Sequence, residues 1–483
     1  MRVMNTLCAS LTALSIALSL SGCHAPALPK DTTLAIPNRF NATSSASTTA
    51  QLRPDWWVEF NDTTLNSLVH QALENNPNIA ASADRLSAAM AQTAQAHADR
   101  LPQLSLSPQT SRRKASTATD KPWKVSSNGH ESALSSSGLF LDTQPYATDW
   151  QAPLQLSWEV DLWGKLQASE NVAGAQAEAS QEDLRNARLS LVASVAQGYI
   201  QLRADQASAQ LLSKQQAVQQ ALFENSQASQ SAGITDLTAA TQAQMALFAL
   251  NNQQQAMSLH ISDDIHTLEV LCGLMPGSLA GLRSSQHWPL NLPQTPASLP
   301  ASVLKQRPDI RRDTDQLNAA RAQVKVARAD FFPSLNLTTS LGTESSSLSS
   351  LLSAGSLLWS LGARISQPLF DGGRLQANYQ AATAQFEEAA HNYQATVIQA
   401  LSDVDKGLTA LQISKTSSET ATRLVTASAQ LTAQQQARFS AGMGTQDAVN
   451  QARLSEYQQQ SALVTSQTAA LQAWLTLRQA LGE

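Results

Sequence analysis

The sequence predicts a mainly α-helical protein with a small transmembrane β part: long antiparallel helical hairpins that give way at one end to short strands. Three observations predict this. The chain is written twice; the second copy keeps a helical hydrophobic period from Leu375 to Leu411; and each copy carries short segments in which apolar residues alternate.

Composition sets the frame. Of 483 residues only 14% are charged and 5% aromatic, against roughly 25% charged in ordinary globular domains. Ala, Gln and Ser fill the gap, which favours long helices packed through small side chains over a wide aromatic core. The net charge of -5 is mild and offers no attraction for nucleic acid or an anionic membrane surface. The three cysteines, Cys8, Cys23 and Cys272, have neither metal-ligand nor redox spacing, so no disulfide and no metal site is expected.

Residues 1–22 read as a signal peptide. Arg2 precedes a Leu/Ala/Ser/Ile-rich stretch from Leu7 to Leu20 that is too short and too interrupted to span a bilayer. Leu20-Ser21-Gly22-Cys23 follows at once and resembles the lipobox of bacterial lipoproteins. That resemblance implies cleavage before Cys23, whose thiol takes S-diacylglycerol and whose amine takes an N-acyl chain; no other cofactor is expected. His24 stands where an inner-membrane retention signal would have Asp, which points to the outer membrane. Residues 23–60 are then anchor and spacer, with a flexible Ser/Thr/Ala run from Asn41 to Ala50. An acyl anchor holds a protein on a membrane and not through it, so crossing needs its own argument.

Internal similarity organises the rest. Asn76-Pro77-Asn78-Ile79 and Arg307-Pro308-Asp309-Ile310 stand 231 residues apart, as do the stretches from Ala98 to Leu104 and from Ala329 to Leu335. Further on the spacing becomes 209 and holds, pairing Gly164-Lys165-Leu166-Gln167-Ala168 with Gly373-Arg374-Leu375-Gln376-Ala377, Gly233 with Gly442, and Gly273 with Gly482. The 22-residue difference falls between Pro102 and Gly164, so the first copy has the longer insert. The repeats span 61–275 and 301–483, each reading helix, two strands, long helix, Gly turn, return helix. A linker over 276–300, with five prolines, cannot be a regular helix.

After Gly373 the larger apolar or small residues fall at Leu375, Tyr379, Ala382, Phe386, Ala389, Tyr393, Val397, Leu401, Val404, Leu408 and Leu411, a mean step of 3.6. This long helix is expected to reach Gly442. Its counterpart runs from about Leu166 to Gln230, and at 1.5 Å per residue each extends roughly 90–100 Å. Return helices follow from about Thr235 to Leu271 and from Asp447 to Leu481. Faces so rich in Ala, Ser and Gln cannot bury enough surface alone, so each copy should form an antiparallel hairpin beside other hairpins.

Strands are expected at about 103–110 and 146–160 in the first copy and 334–342 and 360–370 in the second. Leu104-Ser105-Leu106-Ser107, Leu154-Gln155-Leu156-Ser157-Trp158 and Leu335-Asn336-Leu337-Thr338 show the alternation, and Ser/Thr/Gly-rich connectors, Ser126 to Gly138 and Gly342 to Ser350, lie between. Period two suits a strand with lipid on one side and water on the other. Four strands cannot close a barrel, and lipid does not tolerate an open edge, so several chains must share one barrel. Two chains would give a lumen filled by side chains; three give a trimeric 12-stranded β-barrel with room for solute.

In order and spacing, these residues resemble the TolC-like outer-membrane factor family, in its NodT-type lipoprotein branch. The matching segments are Trp56-Trp57 with Phe60, Asp62, Leu65 and Leu68; Gln306 to Arg311; Ala329-Asp330-Phe331-Phe332-Pro333; Trp158 to Gly164; and Pro368 to Leu375. They cover nearly the whole mature chain. The resemblance implies a homotrimer in outer-membrane lipid with a periplasmic α-helical tunnel. That is the exit duct of a tripartite efflux pump, passing drugs or other small toxic compounds. Its partners would be a periplasmic adaptor (membrane fusion protein) and an inner-membrane pump of RND type, with no nucleic acid. The exit duct of a type I protein secretion system shares the fold. A lipid-anchored periplasmic coiled-coil scaffold without a pore is the rival from another class.

Gly233 and Gly442 turn the chain at the end of the long helices far from the strands, and are the expected tip turns where an adaptor docks. In the family, acidic residues just past this turn ring the pore. Here the usual acidic position holds Gln451, which leaves Asp447 and, in the first copy, Asp236 as gate candidates. Both also suit a helix-start Asp that caps exposed amides.

Catalysis is not expected. Asp371-Gly372-Gly373-Arg374 lacks a Walker lysine, His130-Glu131 lacks the second histidine of a zincin, and no nucleophile motif occurs. Met245, Met257, Met275 and Met443 are too scattered for a thioether copper site. Cys272 reads as a buried small residue, and Trp56-Trp57 as packing for a chain terminus.

Overall fold

The computed structural model describes residues 26–28, 55–114, 123–127, 130–134, 146–234, 236–283, 288, 290–293 and 301–482. The signal peptide, Cys23, His24 and the 41–50 spacer lie outside them, as does much of the prolyl linker. In chain order the described elements are α1 (Thr63–Asn75), α2 (Pro77–Ala98), β1 (Gln103–Leu106), β2 (Gln109–Lys114), β3 (Trp123–Ser127), β4 (His130–Leu134) and β5 (Tyr146–Val160). Then come α3 (Lys165–Ser231), α4 (Leu237–Leu271), α5 (Pro308–Ala329), β6 (Ser334–Ser345), β7 (Leu357–Ser366), α6 (Arg374–Ser440) and α7 (Gln446–Leu481). They form two compact units: Met1–Lys30 with Ala91–Gly174 and Ala319–Phe386, and Asp31–Met90 with Ala175–Asn318 and Glu387–Glu483.

The first unit holds the sheet, antiparallel throughout. β1 and β2 both pair with β5, β5 pairs with β6, and β6 with β7. The segment expected as one strand at 103–110 is therefore two, broken at Ser107-Pro108 because proline has no N–H for the ladder. β1 and β2 share one place at the sheet edge, so the sheet is four strands wide. The Ser/Thr/Gly-rich connector of the first copy contains an added hairpin, β3–β4, paired from Trp123 with Leu134 to Ser127 with His130. β7 stops at Ser366 and not at Phe370, where Gln367-Pro368 ends the ladder. Below the strands the two copies interlock: Trp163 stacks on Phe332 (4.8 Å) and donates its indole N–H to the Pro333 carbonyl (2.7 Å).

The second unit is helical. Asp62 caps α1 by accepting from the Thr64 and Leu65 amides (2.8 and 3.1 Å). Trp56 and Phe60 lie edge-on to Trp474 (5.7 and 5.2 Å) in its core, so the opening aromatic segment packs against the last helix. Cys272 is fully buried there. The duplication becomes physical at the Pro-initiated helices. Asn76, before Pro77, donates to the Leu271 carbonyl at the end of α4 (2.9 Å). Arg307, before Pro308, donates to the Ala480 carbonyl at the end of α7 (2.7 Å). Each return helix ends in a left-handed glycine pressed on the same partner, Gly273 against Asn75-Asn76 and Gly482 against Arg307.

Side-chain bonds fix which helices are neighbours. α3 meets α4 through Gln216–Asn251 and through Gln219 to the Ala243 carbonyl. α3 meets α7 through Gln472–Gln201, Gln215–Ser461 and Asn225–Asp447. α7 meets α6 through Arg453–Gln436, and Gly407 lets α6 approach Leu477 closely. The order is α4–α3–α7–α6, with α4 and α6 at the two edges. Between α3 and α4 sits a carboxyl pair: Asp205 accepts from Gln201 (2.9 Å), whereas Oδ2 of Asp264 is buried without a partner. Burial and then the nearby Asp205 charge push Asp264 up to about 7, against a weaker pull from His260.

Two predictions follow from this packing. A Cβ on Gly273, at φ +66°, would sit 2.3 Å from the Asn75 carbonyl oxygen, whereas one on Gly233, at φ +70°, meets open space. Gly233→Ala should destabilise by about 1–2 kcal/mol, and Gly273→Ala by about 2–5 kcal/mol, read from guanidinium unfolding followed by circular dichroism. Asp264 is raised from 3.8 to about 7 in the fold, so the native state binds more protons than the unfolded chain between those values. Its contribution to stability is full at the acid end and is lost as pH rises through about 7. Asp264→Asn should remove that decline, leaving unfolding midpoints flatter from about pH 5 to 8.

Candidate functional site

The register sorts the sheet into two faces. Leu104 and Leu106 of β1 pair with Leu156 and Leu154 of β5; Leu154, Trp158 and Val160 pair with Leu341, Leu337 and Leu335 of β6; and Leu341, Thr339 and Leu335 pair with Trp359, Leu361 and Ile365 of β7. The alternate positions are polar: Ser105 opposite Gln155, Glu159 opposite Asn336, and Asn336 opposite Arg364. On β7 the apolar face is bare, with Trp359, Leu361 and Ile365 between 73% and 77% exposed. One face is fit for hydrocarbon and the other for water. Among the described residues the two outer positions, β7 and β1/β2, each pair on one side only. No helix among the described residues is long and apolar enough to cross a membrane.

The hairpin turns at the other end of the long helices are built alike. After α3, Gly233 (φ +70°) follows the helix and the Ile234 amide reaches back to the Ser229 carbonyl (2.9 Å). After α6, Gly442 (φ +75°) is followed by the Met443 amide on the Arg438 carbonyl (2.9 Å). Both are glycine C-caps of the same type, which is why the 209-residue spacing survives here. Ile234, Leu237 and Met443 stand 64–76% exposed around these turns.

The acidic candidates differ in role. Asp236 caps α4, its carboxylate accepting from the Thr238 amide (3.1 Å) and hydroxyl (3.2 Å). Asp447 does not cap α7: Thr445 does, accepting from the Ala448 amide (3.2 Å). The Asp447 carboxylate instead accepts from the Asn225 side chain of α3 (2.9 Å), tying the first hairpin to the second. Gln451 lies exposed one turn further along α7. Asn225 was not legible from sequence, because nothing local marks a residue whose partner stands 222 positions away.

A second feature, on the edge helices, did have a sequence signal that the mean helical step concealed. Leu237, Phe248, Leu259 and Val270 recur every eleven residues along α4 and are 56–72% exposed. Eleven residues make three turns at 3.67 per turn, so the four lie on one stripe. α6 carries Ile398, Ile413, Leu424 and Leu431, 45–64% exposed. From Gln412 to Ser440 no residue of α6 is buried.

Comparison with known proteins places this geometry. The family model for outer membrane efflux protein matches residues 68–274 and 299–483. The pyoverdine export outer membrane protein OpmQ of Pseudomonas putida is 29% identical, covering 99% of this chain and 98% of its own. The solvent efflux pump outer membrane protein SrpC of Pseudomonas putida is 31% identical over 73% of this chain and 70% of its own. Among solved structures, the outer-membrane channel OprN superposes with a TM-score of 0.82 at 23% identity, covering 94% of this chain and 98% of that one. The Campylobacter jejuni CmeC outer membrane channel gives 0.80 at 24% identity, covering 95% and 94%. With both repeats matched by the family model and a two-faced sheet joined in sequence to paired helical hairpins, the chain belongs to the outer membrane efflux protein family.

Proposed function

We propose that three copies of this chain close into one duct through the outer membrane, with a helical tunnel reaching into the periplasm. The observation that carries this is the pairing of bare edges in both parts of the chain. The sheet ends in β7 on one side and β1/β2 on the other, and the helices end in α4 on one side and α6 on the other, each with an uncovered apolar stripe. A helix with no buried residue over its last 29 positions cannot be stable by itself. Joining β7 to the β1/β2 edge of a neighbour removes the first deficit, joining α6 to a neighbour's α4 removes the second, and three copies close twelve strands.

The duct is passive. It passes drugs or other small toxic compounds handed on by an inner-membrane pump of RND type and a periplasmic adaptor, and performs no catalysis. Relatives named for pyoverdine, solvent and cation efflux share the scaffold, so cargo choice belongs to the pump. The adaptor docks at the Gly233 and Gly442 turns, where small residues and exposed Ile234 and Met443 allow close approach. Asp447 acts as the gate. Its bond to Asn225 holds the two hairpins together at the mouth, and three symmetry copies place a ring of carboxylates on the axis that favours cations. Asp236 serves the turn as a cap, and Gln451 extends the ring as a neutral lining. Cys23 carries the lipid anchor.

In planar bilayers the wild-type trimer should conduct, and Asp447→Ala should raise single-channel conductance several-fold; no conductance in either would favour the pore-less scaffold. Leu259→Glu should shift the detergent-solubilised protein from trimer to monomer in analytical ultracentrifugation while the hairpin keeps its helical circular dichroism. Deleting the gene with pump and adaptor present should lower the inhibitory concentration of small toxic compounds; unchanged susceptibility with lost export of a polypeptide would favour the secretion duct.

A further inference from the structure

The hydroxyl of Tyr379, early in α6, donates to the carbonyl of Ala27. Tyr379 is 7% exposed and is braced edge-on by the Phe331 ring (6.3 Å). Cys23 stands four residues before Ala27, so even a fully stretched chain keeps it within about 14 Å of that carbonyl.

Phe331 also holds the turn that precedes α6. Its carbonyl accepts from the Gln367 side chain (3.1 Å). The turn is closed by Asp371, which accepts from the Gly373 and Leu375 amides (3.0 and 2.7 Å). On this rigid turn Leu369 and Phe370 project 88% and 92% exposed. They stand three and four residues past the end of β7, whose last apolar row has Val160, Leu335 and Ile365 side by side. That row lies at the end of the sheet that leads into α3 and α6. Two adjacent large apolar side chains, fixed in place here, need a hydrophobic cover. A single residue, Phe331, thus ties both the amino-terminal segment and the Leu369-Phe370 turn to one spot.

We propose that Leu369 and Phe370 are the seat for the acyl chains on Cys23: the two side chains enter the periplasmic leaflet and the chain's own lipid tails lie against them. This rests on reading Cys23 as lipidated. The anchor is then a fixed part of the barrel wall that sets how deep the strands sit, and the Tyr379–Ala27 bond is what brings it there.

The test uses full-length protein purified from membranes and reconstituted in phosphatidylethanolamine and phosphatidylglycerol vesicles. A nitroxide is placed on Phe370→Cys, Cys272 being fully buried, with Leu352→Cys, 90% exposed in the β6–β7 connection, as control. At 370 oxygen should relax the label more than a water-soluble nickel chelate does; at 352 the order should reverse. Removing the acyl chains, by Cys23→Ala behind an ordinary cleavable signal peptide, should raise mobility at 370 at least two-fold and leave 352 unchanged. Tyr379→Phe, with the lipid retained, should also raise mobility at 370. A label at 370 that meets chiefly the nickel chelate, or neither reagent because a neighbouring subunit covers it, overturns the proposal. So does mobility indifferent to the acyl chains, which would assign the seat to bulk phospholipid. Mass spectrometry of the amino-terminal peptide separates the two levels: absence of acyl groups refutes the lipidation reading itself, and the seat with it.

Discussion

An unpaired strand edge in hydrocarbon is the constraint on which the rest of this molecule depends. Each free N–H or C=O in lipid costs several kcal/mol, roughly 2–7 by transfer measurements, and a long edge such as β7 presents a row of them. A sheet four strands wide cannot curl far enough to satisfy its own edges. The chain is therefore incomplete as a structure until a neighbour supplies hydrogen-bond partners, and the apolar face has meaning only around a closed barrel. Oligomer, pore and membrane location are consequences of one deficit.

The helical part answers the same deficit with different chemistry. Helices in water have no backbone edge to satisfy, so closure there relies on apolar stripes and on small residues that let axes approach. The buried core gathers near the Pro-initiated helices, where Trp56, Phe60, Trp474 and Tyr199 supply bulk that the Ala-rich hairpins lack. The paired contacts of Asn76 and Arg307 with the closing carbonyls of α4 and α7 repeat in both copies because each hairpin must end against the start of its own repeat. That repeated junction is what keeps the two copies equivalent and lets six hairpins share one ring.

Legibility in the sequence followed interaction range. The duplication, the long helices, the glycine turns and the apolar alternation are local or periodic, and single-sequence reading reaches them directly. The break between β1 and β2 is also written, as Pro108, but one proline at the end of a four-residue alternating run does not say whether the strand stops or resumes. The β3–β4 hairpin was hidden because its five-residue strands are too short for a clear period: only Trp123 and Val125 alternate in β3, and β4 has no such pair. The Asn225–Asp447 bond and the α4–α3–α7–α6 order depend on which hairpin lies beside which, and no pattern within either hairpin encodes it. Charge at a helix start suggested capping for both Asp236 and Asp447; only tertiary pairing separates the cap from the cross-link.

The mouth is held differently from the rest of the tunnel, and the difference bears on how such a duct could open. Beyond Gln219 no residue of α3 is buried up to its end at Ser231, and the same holds for α6 beyond Leu411. The side-chain hydrogen bonds there, Asn225–Asp447 and Arg453–Gln436, are worth about 0.5–1.5 kcal/mol net each, beside the buried Val449, Ala452 and Leu454 of α7. A partner that covers exposed Ile234, Leu237 and Met443 gains more than this from apolar burial alone, at roughly 1.5–3 kcal/mol for each large side chain fully covered. Binding energy of that size is enough to break the Asn225–Asp447 bond that joins the hairpins, while the aromatic core around Trp56, Phe60 and Trp474 keeps its packing. A duct that opens on docking, as proposed above, needs this difference: a packed core that stays, and hairpin-joining bonds weak enough to release.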